Sequence, residues 1–130
     1  MRSIPTLFFA TAAIFALCGM MWGIEMAITQ DHSLSPAHGH LNLVGFVAMS
    51  VFGTYYALTP QAANSALARF HYVLMTLAVV TLSVGIALAI SMEQEMLAKI
   101  GSILAALSMA VFLFTIVRHG VGTKQTPPQS

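Results

Sequence analysis

The stretch Phe70-His-Tyr-Val-Leu-Met-Thr-Leu-Ala-Val-Val-Thr-Leu-Ser-Val-Gly-Ile-Ala-Leu-Ala-Ile-Ser91 contains no Asp, Glu, Lys or Arg. At about 1.5 Å per residue, a helix of this length matches the ~30 Å hydrocarbon core of a bilayer. Outward from it, residues 5–29, 37–59 and 97–117 read the same way, with Glu25 and Lys99 as their only charged side chains. These four stretches take up nearly all of the 130 residues, of which 58% are hydrophobic and 7% charged. Soluble domains carry roughly one-quarter charged residues, so water is a poor solvent for this chain. The expected fold is all-α, an integral membrane antiparallel four-helix bundle over residues 1–119. A disordered cytoplasmic tail is expected over 120–130, where Gly, Thr, Gln and Pro replace the apolar residues.

Met1-Arg2 followed by an apolar run resembles the start of a signal peptide, but the run continues well beyond the ~7–15 residues of a signal core. The first helix is expected to stay attached. Cys18 lies inside it as the single cysteine, which excludes an internal disulfide and a paired-cysteine metal motif. Short connectors make neighbouring helices antiparallel. Arg2, Arg69, Arg118 and Lys124 then fall at one end of the bundle, and Glu25, Asp31, Glu93 and Glu95 at the other with Lys99. Because basic loops stay inside, both termini are expected in the cytoplasm, in a bacterial inner membrane with the acidic end outward.

A net charge of +1 without a basic cluster excludes nucleic-acid binding. Phosphate loops and hydrolase constellations are absent as well. Chemistry is expected instead around Asp31-His-Ser-Leu-Ser-Pro-Ala-His-Gly-His40, where three of the five histidines gather at the outer edge. Ser35 and Pro36 form a helix start by capping and fixed φ. At about 100° per residue, His38, Asn42, Gly45, Met49 and Tyr56 share one stripe of the second helix, with Gly53 on its margin. His40 points to nearly the opposite side. A flat stripe of this kind suits close helix packing, and it equally admits a porphyrin ring. His71 and His119 belong at the inner headgroup boundary beside Arg69 and Arg118, and Tyr55 and Tyr56 in an aromatic belt there.

The stretch from His38-Gly-His-Leu-Asn42 through Tyr55-Tyr56 to Pro60 resembles the second helix of subunit I of the haem-copper oxidases, in particular the nitric oxide reductase and cbb3-type branches. The resemblance implies a haem b near the outer face with His38 as axial ligand and His40 as second choice. Asn42, Gly45 and Met49 would then line the ring. It further implies electron transfer or diatomic-gas handling, with a respiratory-complex or electron-transfer partner. The later helices that supply the second haem ligand and the binuclear centre in that family are not in this sequence, so oxygen or nitric oxide reduction by this chain alone is not expected. A second copy, in a homodimer or higher homo-oligomer, could bring an opposing histidine across a two-fold axis. One of Met20, Met21, Met26 or Met92 could also serve as sixth ligand.

Two other readings compete. Met20, Met21, Met26, Met92 and Met96 stand near His32, His38 and His40, a thioether–imidazole set suited to copper(I). Alternatively the stripe is only a packing seam in a non-catalytic accessory or assembly protein of the membrane. Glu25 is placed to orient the free ring nitrogen of His38 or to face water.

Overall fold

The computed structural model describes residues 3–123. Four long apolar helices, each long enough to cross a membrane, alternate in direction. They are α1 (Ile4–Thr29), α2 (Ser35–Leu58), α4 (Ala66–Met92) and α5 (Met96–His119), with a single turn α3 (Pro60–Ala63) between α2 and α4. The fold is all-α, and no strand occurs among the described residues. Hydrocarbon leaves the backbone no other partner than itself, so long uninterrupted helices are the form such a sequence takes.

The ends of the helices follow local chemistry. Ser3 caps α1 and Ser65 caps α4, each side chain accepting from the amide three residues on. The Ser65 cap starts α4 at Ala66, four residues before the apolar stretch itself, because Ala66-Leu67-Ala68-Arg69 are all good helix formers. Ser35 does not cap α2. Its amide is already bound to the His32 carbonyl, the helix begins at Ser35 itself, and Leu34 occupies the cap position without a side-chain bond. Pro36 does sit in the first turn as expected. The preceding turn is tied by Asp31, whose Oδ1 accepts from the Ser33 amide at 3.0 Å. The Ser33 side chain and amide hold the Asp31 carboxyl below its ordinary range.

α1 packs on α2 and α4, while α5 leans chiefly on α4. Glycine sets that last contact: a Cβ on Gly101 would lie 2.6 Å from the backbone of Leu82, and one on Gly85 would collide with the backbone between Leu97 and Ala98. Small residues let the two backbones touch, which supplies much of the association energy where water drives nothing. Within α2, residues Leu43–Ala48 widen into a π-helical turn. The widening coincides with Gly45, where a Cβ would lie 3.0 Å from both Phe15 and Val79, so that α1, α2 and α4 meet there.

The core lies toward the end that carries Arg69 and Arg118. Phe8, Phe52, Tyr56 and His71 are buried together there, with Phe112 of α5 against them. Tyr55 also turns inward: its hydroxyl donates to the carbonyl of Gly120 at 2.6 Å, closing the end of α5. Gly122 donates to Thr59 Oγ1 at 3.0 Å and accepts from Gln61 Nε2 at 2.8 Å. The start of the expected tail is thus bound to the α2–α3 corner. Arg2, Lys124 and the rest of the tail lie outside the described residues.

A side chain at the Gly101 contact has nowhere to go, because its neighbour is backbone. Gly101→Val is expected to cost about 3 kcal/mol or to prevent folding, read as loss of the thermal transition in detergent. Gly39→Ala meets nothing within 4 Å and should stabilise by about 0.4–1 kcal/mol.

Candidate functional site

The sequence-predicted stripe exists, and it is filled. His38 and Asn42 are half-buried against α1, while Gly45, Met49, Gly53 and Tyr56 are fully inside. His38 Nε2 lies 2.9 Å from the carbonyl oxygen of Gly19, and the Asn42 side-chain amide lies 3.1 Å from the same nitrogen. Trp22 meets the ring edge-on at a centroid distance of 6.0 Å. Gly23 allows the approach, since a Cβ there would be 3.2 Å from Nε2. The Gly19 carbonyl can only accept and calls for a proton on Nε2, whereas the Asn42 Nδ2 group can only donate and calls for its lone pair, so that either tautomer leaves Nε2 engaged inside the bundle. The backbone of α1 therefore does for this ring what Glu25 was expected to do, and Glu25 itself is exposed.

His40 is arranged the other way round. It is exposed on the side of α2 turned away from His38, and its Nδ1 lies 2.8 Å from the carbonyl oxygen of Pro36, one turn back. That bond places the proton on Nδ1 and leaves the lone pair on Nε2, which has no hydrogen-bond partner among the described residues. His38 and His40 thus differ in access: Nε2 of His38 is engaged inside the bundle, and Nε2 of His40 is open.

The methionines do not converge on these rings. Met20, Met21, Met92 and Met96 are 64–69% exposed, and Met26 is buried. No group of three His, Cys, Asp or Glu side chains placed to share a metal ion occurs among the described residues.

The histidine that sequence reasoning misplaced is His71. It was expected at the headgroup boundary, yet it is 0% exposed. Its Nδ1 is 2.8 Å from the Tyr56 hydroxyl, and Phe8, Phe52 and Phe112 surround the ring at centroid distances of 5.4, 4.6 and 6.0 Å. Its Nε2 has no partner in this cage. One signal pointed there: His71, Met75, Ala78, Leu82 and Gly85 recur at helical spacing on one face of α4 and are all buried. With apolar residues on every side of α4, that face does not stand out in the sequence.

Comparison with known protein families, with curated proteins and with solved structures finds no match to this chain. What the site can do rests on its own residues.

The Tyr56–His71 pair joins α2 to α4 directly. Tyr56→Phe strips the imidazole of its one partner and is expected to destabilise by about 1–3 kcal/mol. The double variant Tyr56→Phe/His71→Phe removes both polar groups and should recover most of that loss, as read from thermal melts of the four proteins in one detergent. A double variant weaker than the single would mean that the pair is not an isolated polar contact.

Proposed function

We propose that this protein binds haem b in the membrane as a relative of haem-copper oxidase subunit I, with His40 as the axial ligand. The observation that carries this reading is the His40 Nδ1 to Pro36 carbonyl bond of 2.8 Å. Metal-bound histidines nearly always donate their second ring nitrogen to a carbonyl, carboxylate or water, which fixes the ring and raises its basicity. His38 meets the opposite condition, because its Nε2 is spent on Gly19 and the face below it is filled by Phe15 and Val79 against Gly45. Within one chain, Asn42, Gly45 and Met49 then serve packing rather than the ring's edge.

The donor set fits an iron ligand on one side only. His40 is the one outward imidazole at this end anchored by a ring-nitrogen bond, with His32 also exposed in the turn before α2, so the opposite axial position is left to a second copy across a two-fold axis, to a methionine, or to a diatomic ligand. Bound haem would supply one-electron chemistry. The chain's own contribution is to hold Nε2 deprotonated and pointed outward, close to the start of α2.

Orientation belongs to the same proposal. Glu25, Asp31, Glu93 and Glu95 share one end and Arg69 and Arg118 the other, a bias that supports an outward His40 end and cytoplasmic termini in a bacterial inner membrane. The second reading is an accessory membrane protein, favoured by the observation that the His38 stripe is a filled packing seam.

Reduced-minus-oxidised spectra of the purified protein, expressed with adequate haem, separate the two. A b-type spectrum lost in His40→Ala and kept in His38→Ala is expected, with His38→Ala lowering thermal stability by about 1 kcal/mol through the lost Gly19 bond. A spectrum lost only in His38→Ala returns the ligand to that residue. A colourless wild type, even with haem added back, sinks the cytochrome reading and leaves the accessory role, or copper if metal analysis finds it.

A further inference from the structure

At the His40 end of the bundle two depressions meet at Glu25. A groove of about 620 Å³ runs along the side of α1 onto α2, lined by Cys18, Met21, Ile24, Ile28 and Leu41. A smaller pocket of about 160 Å³ lies at the end of α1, where Thr29, Asp31 and Ser33 give it polar walls. Trp22 and Glu25 line both. Glu25 stands four residues before the last residue of α1, about 6 Å below the helix end. From there the groove continues to Cys18, about 10 Å deeper. The Glu25 carboxylate makes no hydrogen bond or ion pair among the described residues. The site is therefore anionic toward the membrane surface, aromatic at its centre and apolar toward the hydrocarbon.

We infer that these joined depressions bind a lipophilic organic cation, with its positive charge between Glu25 and the Trp22 indole and its apolar body along Met21 and Leu41. Charge complementarity selects the occupant. Residues 3–68, which span α1 to α3, contain no lysine or arginine, and Lys99 at this end is engaged by Glu95 at 3.6 Å. His32, beside Asp31, is the one basic side chain of the turn between α1 and α2. Asp31 adds a second carboxylate, oriented by the Ser33 amide. Close to hydrocarbon a carboxylate is less screened than in bulk water, so a cation brought to it gains more. Among side chains, indole holds a cation on its ring face best. The mixed lining separates this ligand from others of its charge: a bare metal ion gains nothing from Met21 and Leu41, and a zwitterionic lipid would bring its phosphate against two carboxylates. The site uses no ring nitrogen of His38 or His40 and does not depend on haem binding.

Trp22 is the single tryptophan of the chain, so its fluorescence reads binding at this site. The test is a titration of the full chain, in a neutral detergent, with tetraphenylphosphonium and with tetraphenylborate, ions of the same shape and opposite charge. Wild type is expected to show saturable quenching by the cation and only the linear background of micelle partitioning by the anion. Glu25→Gln should weaken the cation about tenfold. Glu93→Gln, which removes a carboxylate from the same end but outside both depressions, should leave it unchanged. Cys18→Phe keeps every charge and fills the groove, so it too should expel the cation. This variant decides the matter if Glu25→Gln does not fold. Absence of saturable quenching in wild type, equal quenching by the two ions, equal loss in both glutamate variants, or full binding in Cys18→Phe would each overturn the proposal. So would displacement of tetraphenylphosphonium by magnesium at equal concentration, which would identify a simple metal-ion site.

Discussion

Helices in hydrocarbon satisfy their own backbones and then have little reason to associate, because lipid tails are as apolar as leucine. What joins them here is contact close enough for backbones to touch. At Gly101 and Gly85, α5 lies directly on the main chain of α4, and at Gly45 three helices meet at a widened turn of α2. The positions of the remaining side chains follow from these approaches. Asn42 reaches over Gly19 and His38 over Gly23 because neither glycine has a Cβ to prevent it.

Polar groups between the helices then act as pins. Thr11 with Tyr72 ties α1 to α4, Tyr56 with His71 ties α2 to α4, and His38 with the Gly19 carbonyl ties α2 to α1. Bonds of this kind inside membranes contribute about 0.6–2 kcal/mol each, too little to build a bundle but enough to fix rotation about each helix axis. A histidine used as a pin has its ring held between helices, where no ligand can approach the bonded nitrogen. By that division His38 and His71 belong to the fold. His40, anchored through Nδ1 and otherwise open, is left available for chemistry, as is the exposed but unanchored His32.

The two ends of the molecule are chemically unlike. One carries the carboxylates, the exposed methionines Met20, Met21, Met92 and Met96, and the open imidazole. The other carries the arginines and the aromatic core around Phe8 and Phe52. Aromatic packing is concentrated at the second end, where Tyr55 and Gln61 also hold the segment after α5. The first end is held by the Gly85 and Gly101 contacts between α4 and α5, the His38 pin and the Asp31 turn.

The sequence by itself determined the number, length and alternation of the long helices, because the energetic cost of charge in hydrocarbon is paid residue by residue and can be summed along the chain. It also determined that His38, Asn42, Gly45 and Met49 share a face, since 3.6 residues per turn is a local property. It did not determine what that face meets. With apolar residues on all sides of α4, nothing local marked His71 as buried rather than interfacial, and Tyr55 looked like a belt residue until Gly120 was seen beside it. Only the tertiary structure decided which ring nitrogens are occupied, because a hydrogen bond from His38 to Gly19 or from His71 to Tyr56 joins helices whose relative rotation is fixed by packing across the bundle, not by either helix alone.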